Sequence, residues 1–118
     1  MNNKPKYHLF KNTKYALDGF IHAFKTESSF KLELFAAIFI VIGIVFIDTT
    51  VTNKLILLVS GIFVLIVELI NSAIENVVDL VTKEIHPLAK NAKDIASTAV
   101  MFSIGLHICC WIIVLLQG

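Results

Sequence analysis

The chain has 118 residues, 57% of them hydrophobic, with a net charge of +1 and a mean hydropathy of +0.82. A soluble domain of that length could not hide so much apolar surface, whereas a membrane protein need not. The near-neutral charge offers no field for nucleic acid, and two adjacent cysteines, Cys109 and Cys110, make no disulfide framework.

The amino-terminal stretch M-N-N-K-P-K-Y-H runs into mixed polarity. It lacks the compact apolar core and cleavage site of a signal peptide, so the first membrane segment is expected to be retained. Residues 6–28 read as an amphipathic helix. Leu9, Phe10, Leu17, Phe20, Ile21 and Phe24 share one face, and Lys11, Asp18, His22 and Lys25 lie on the other. Such a helix can lie in the plane of a membrane surface, apolar side down.

The first apolar run, Leu34 to Ile47, has fourteen uncharged residues. A span needs about 20, so the segment is extended back to 29–47, with Lys31 snorkelling and Glu33 near the headgroups. Asp48-Thr49-Thr50 closes it. A second span is expected over 55–80. Thr82 to Asn91 follows as a loop, with a turn where Pro87 disfavours the helical conformation at His86. The third span is expected over 94–116, because Ile95 to Leu116 is 22 residues without formal charge at neutral pH. Asp94 would cap it or sit in its first turn. The expected fold is a single all-α membrane domain, a surface helix followed by three transmembrane helices. There is no internal repeat.

All ten basic residues are lysines. Lys4, Lys6, Lys11, Lys14, Lys25 and Lys31 precede the first span, Lys83, Lys90 and Lys93 lie between the second and third, and only Lys54 falls on the other side. That bias predicts a cytoplasmic amino terminus and a cytoplasmic Lys83–Lys93 loop.

Within the second span, thirteen uncharged residues precede Glu68, and Asn71, Glu75 and Asp79 follow it. At roughly 100° per residue these four fall within a sector of about 80°. A carboxylate deep in an apolar segment costs several kcal/mol unless paired, hydrated or bound to a cation. Asp79, near the helix end, is ordinarily read as solvated surface or a structural ion pair. Glu68 reads as functional. Acids at one membrane face with lysines nearby suit a divalent cation carrying a phosphate, since Mg²⁺ prefers one or two carboxylates completed by phosphate oxygens. A carboxylate at that depth could take a proton from a lipid hydroxyl.

Other motifs are absent. The five glycines are scattered, so there is no glycine-rich phosphate loop, and the four histidines lack metal spacing. His107 reads as a packing hydrogen-bond partner rather than a ligand. Trp111 fits an aromatic belt at the membrane boundary. Cys109 and Cys110 read as small apolar side chains.

The run V-E-L-I-N-S-A-I-E-N-V-V-D, followed by H-P-L-A-K-N-A-K-D-I-A-S-T-A-V, closely resembles the small prokaryotic integral-membrane diacylglycerol kinases, whose pattern is E-x-x-N-[ST]-A-I-E-x-x-V-D, a short loop and A-K-D. With T-E-S-S-F-K-L-E upstream, the resemblance covers nearly the whole chain. It implies a homotrimer with shared active sites that moves the γ-phosphate of ATP, with Mg²⁺, to a lipid hydroxyl at the cytoplasmic face of the inner membrane. Glu68 would be the catalytic base, with Asn71 beside it. Glu27 and Glu75 would hold the metal that accompanies ATP. Tyr15, Glu84, His86, Lys93 and Asp94 would contact the nucleotide. Phe30, Glu33, Ser97 and Trp111 would lie along the lipid path. The chain departs from the family pattern at His8, Asp18 and Pro87. Undecaprenol kinases belong to the same family and H-P-L-A-K is similar to them, whereas E-S-S-F-K-L-E is similar to the diacylglycerol enzymes, which favours diacylglycerol as substrate.

A rival class is a non-enzymatic oligomeric membrane protein with a proton or cation pathway at Glu68. A pathway would want polar groups across the whole membrane. Here the acids stop about two turns in, which favours a one-sided site.

Overall fold

The computed structural model describes residues 8–117, which form four helices: α1 Leu9–Thr26, α2 Ser28–Phe46, α3 Val51–Val81 and α4 Pro87–Gln117. Three of them, α2, α3 and α4, are long and apolar enough to cross a membrane. At 1.5 Å per residue, the 31 residues of α3 and of α4 reach about 46 Å, beyond a hydrocarbon core of about 30 Å. The polar ends of both helices therefore have length to emerge from it.

The helix ends have local causes. Glu27 is extended, with φ −105° and ψ 101°, and breaks the chain between α1 and α2. The break is braced by Phe20 of α1 and Phe30 of α2, whose rings meet edge to face at 5.7 Å. The sequence pattern placed Glu27 inside a helix over 6–28; residues 6 and 7 lie outside the described residues. At the far end of α2, Ile47 is extended. Thr50 then caps α3, its hydroxyl accepting from the backbone N–H of Asn53 at 3.1 Å. The cap lets α3 begin at Val51, four residues before the expected Leu55. Lys54 donates to the carbonyl of Val45 at 2.9 Å and holds the α2–α3 turn closed.

The start of α4 corrects an expectation. Pro87 opens the helix, where its missing N–H and fixed φ cost nothing. The backbone N–H of Leu88 donates to His86 Nδ1 at 3.1 Å, so the imidazole caps the helix. Helix thus replaces the second half of the loop expected over Thr82–Asn91. Asp94 is neither cap nor first-turn acid but lies about two turns inside α4. There it pairs with Lys90 one turn earlier.

α3 packs chiefly on α4, then on α2, and α1 packs on α2. Among the described residues, the buried apolar side chains are only Ala23, Phe30, Ile44, Leu57, Ala96 and Val114. Large apolar groups such as Phe35, Phe46, Ile66, Ile70 and Phe102 face outward. A single subunit leaves this surface for lipid or for other subunits to cover. At the end of α3 away from the acids, Asn53 Nδ2 donates to Gln117 Oε1 at 3.0 Å and ties α3 to α4.

Candidate functional site

The acids of α3 gather with two others. Glu68 is 5% exposed and Asn71 8%. Glu33 of α2 faces Glu68 across the helix pair, and Glu27 at the α1–α2 break and Glu75 lie within electrostatic reach of Glu68. Asn71 bridges along the helix, its Nδ2 donating to Glu75 Oε1 at 3.1 Å. The ion pairs among the described residues are Lys93–Asp79 and Lys90–Asp94, so Glu27, Glu33, Glu68 and Glu75 have no matching side-chain cation. One Glu33 carboxyl oxygen and Asn71 Oδ1 are buried without a partner. Polar atoms left so are expensive, and acids so gathered are stabilised by a cation or a hydrogen-bond donor brought among them.

This donor set fits magnesium. Carboxylate oxygens are the hard ligands it prefers, and Glu27 and Glu75 are the two that the family pattern assigns to it. Among the described residues no three His, Cys, Asp or Glu side chains converge as a metal cage. Phosphate oxygens would then complete the coordination, as is usual for magnesium with nucleotides.

A second feature lies beyond the acids. Asp79, Glu84, His86, Lys90, Lys93 and Asp94 line a cleft between the end of α3 and the start of α4. Lys93 Nζ donates to Asp79 Oδ1 at 2.7 Å, so Asp79 is the surface ion pair its position led one to expect. The hydrogen bond to Asp79 holds the Lys93 ammonium above the ordinary lysine range, and Asp94 does the same for Lys90. Both lysines therefore stay charged in the cleft. The Glu84 backbone N–H donates to Thr82 Oγ1 at 3.1 Å and shapes the turn. Tyr15 is exposed on α1 and lines neither this cleft nor the one between α1 and α3 that contains Glu27.

The residues expected along a lipid path are dispersed. Glu33 opens a groove between α2, α3 and α4, lined otherwise by apolar groups and His107. Phe30 is packed against Phe20 and does not line that groove. Ser97 is exposed on α4. Trp111 is half-buried, and its indole N–H donates inward to His107 Nε2 at 3.0 Å. An aromatic belt residue would turn that N–H to the membrane boundary; this one is part of the packing. His107 is the packing partner expected, and Ser60 completes its bonding at 2.7 Å from Nδ1. Sequence reasoning missed Ser60 and Gly61, although a small polar and a small apolar residue side by side in an apolar helix were a visible signal for close approach.

Comparison with known proteins follows the same lines. A family model described as prokaryotic diacylglycerol kinase matches residues 14–115. The chain is 37% identical over 97 residues to a diacylglycerol kinase of Haemophilus influenzae, covering 82% of each chain. It is 36% identical over 104 residues to one of Pseudomonas aeruginosa, covering 88% of this chain and 85% of the relative. It is 35% identical over 107 residues to one of Escherichia coli strain K12, covering 91% and 88%.

Proposed function

From the chain's membership of the prokaryotic diacylglycerol kinase family, we propose that it transfers the γ-phosphate of ATP to the free hydroxyl of diacylglycerol, forming phosphatidic acid. The observation that carries the reading is the group of unmatched acids around Glu68, set where an apolar segment ends and next to a cleft bearing Lys90 and Lys93. That arrangement sets a buried carboxylate, at the end of an apolar segment, beside a lysine-bearing cleft.

In this reading Glu68 accepts the proton of the lipid hydroxyl as its oxygen attacks the γ-phosphorus and ADP leaves. Asn71, whose amide N–H donates to Glu75, keeps Glu75 in place beside the base. Glu27 and Glu75 hold the magnesium, which supplies charge compensation to the phosphates. Lys93 and Asp94, with Glu84 and His86, bind the nucleotide, and Tyr15 approaches it from α1 once the assembly forms. Glu33 positions the lipid headgroup, and Phe30, Ser97 and Trp111 belong to the surfaces along which the lipid arrives.

The finer architecture belongs to the same proposal. α1 lies on the membrane surface, its Leu17, Phe20, Ile21 and Phe24 face turned to the lipid. The lysine bias places the acids and the cleft at the cytoplasmic face of the inner membrane. The chain acts as a homotrimer whose active sites are shared between neighbours, since one subunit leaves its apolar faces uncovered and its acids without a cation. Diacylglycerol is preferred to undecaprenol, in keeping with the names of the relatives reported above. Purified protein given MgATP and diacylglycerol should yield labelled lipid phosphate. No label with any lipid alcohol would overturn the kinase reading, and a large preference for undecaprenol in a mixed-lipid competition would reverse the choice of substrate.

A further inference from the structure

The polar chain Ser60–His107–Trp111 lies in the apolar part of the helix packing, and its hydrogen bonds have no part in the phosphoryl transfer. Its bonding has one consistent direction. An indole N–H can only donate, so His107 Nε2 accepts from Trp111. The ring proton then sits on Nδ1 and is donated to Ser60 Oγ at 2.7 Å. Ser60 in turn donates to the carbonyl of Leu57 at 3.1 Å. Both ring nitrogens are satisfied, and the imidazole is fixed at each end. It lies flush on α3 at Gly61, where an added Cβ would sit 3.2 Å from His107 Cε1.

This fixed ring stands in the groove that Glu33 opens. The groove has a volume of about 440 Å³ and runs between Ile40 and Ile44 of α2, Leu57 and Gly61 of α3, and Ile108 of α4. Measured along α3 from Leu65 to Leu57, its lining is about 12 Å long. At its far end Ile44, Leu57 and Val114 are buried together, with Trp111 packed against them and its ring edge 3.9 Å from a Cβ added at Gly43. The groove thus begins at Glu33, which neighbours Glu68, and is closed where the hydrogen-bonded indole lies.

We propose that His107, held by Ser60 and holding Trp111, is a specificity-determining residue that sets how deep one hydrocarbon chain of the lipid substrate reaches into this groove. The occupant follows from the lining, which is apolar apart from Glu33 and His107, and from its mouth at Glu33, the carboxylate that positions the lipid headgroup. The inference rests on the kinase reading for its substrate. The chain floor acts through packing: one methylene too many has no room until the indole is released.

The test uses the full chain in vesicles and a series of diacylglycerols that differ in chain length. The wild-type protein should show a length beyond which kcat/KM falls. His107→Ala should move that limit to longer chains and raise kcat/KM for the first excluded length by roughly tenfold relative to the wild-type optimum, with the change in KM. His107→Gln, which can accept from the indole and donate to Ser60, should restore the wild-type profile. Should His107→Ala fail to fold, Ser60→Ala and Trp111→Phe serve the same comparison. Trp111 is the only tryptophan, so a diacylglycerol brominated at its chain ends gives a second readout without catalysis. Its quenching should saturate and be relieved by unbrominated diacylglycerol. A parallel fall at every chain length, or quenching that only rises in proportion to the brominated lipid, would overturn the proposal. Saturable quenching without any lipid phosphate would instead overturn the kinase reading and leave the groove.

Discussion

Lys93 of α4 reaches across to Asp79 of α3, Nζ to Oδ1 at 2.7 Å, and so joins the two helices that form the lysine-bearing cleft. Both side chains are about half exposed, so solvent screens the pair and it adds little to folding. Its use is to hold a charged ammonium at a fixed place. Lys93→Met should leave the thermal midpoint in detergent nearly unchanged and raise the KM for MgATP. Calorimetry and nucleotide-dependent kinetics on the same preparation check this. A large loss of stability with unchanged KM would make the pair purely structural.

The two glycines that face α4 side chains make an opposed pair. A Cβ at Gly61 would meet His107, which two hydrogen bonds prevent from moving aside. A Cβ at Gly43 meets the Trp111 ring edge at 3.9 Å, an ordinary contact. Gly61→Ala should therefore lower the thermal midpoint, whereas Gly43→Ala should keep or slightly raise it, since alanine is favoured over glycine in a helix by roughly 0.5–1 kcal/mol. Equal midpoints for the two variants would show that His107 yields.

These contrasts also mark what a sequence can tell. Glu68 stands out because thirteen uncharged residues precede it, and the helical period alone puts Asn71, Glu75 and Asp79 on its side. Three apolar runs announce three spanning helices. The start of α4 was placed seven residues late, at Asp94 rather than Pro87, because Pro87 reads equally as a breaker and as a first helical residue; His86 decides, by capping Leu88. The break between the surface helix and the first span was legible to within about two residues, between 28 and 29, although T-E-S-S holds no glycine or proline; its brace, Phe20 meeting Phe30, was not. Trp111 could be placed at a depth but not in a direction, because its partner is four residues back and that residue's own partner is on another helix.

Orientation follows from the lysine count and has a direct check. A reporter inserted at Thr49, in the α2–α3 turn, should be active outside the cytoplasm, and one inserted at Lys83, between α3 and α4, should be active inside. Both on one side would refute the expected path through the membrane.

The last prediction separates the two central carboxylates of α3. Glu68 and Glu75 are seven residues apart, about 10 Å along the helix, too far to act on one proton. Glu68 is buried and Asn71 hydrogen-bonds Glu75. If Glu68 is the base, Glu68→Gln should lower turnover by roughly 10²–10⁴-fold and leave nucleotide affinity nearly unchanged. Glu75→Gln should weaken MgATP binding and shift the magnesium requirement upward. A site built by neighbouring subunits makes a further demand: trimers assembled from the two inactive chains should regain activity, because some interfaces then pair two intact halves. Mixed trimers as inactive as either parent would count against shared sites, and equal nucleotide-binding defects in the two variants would count against the division of roles.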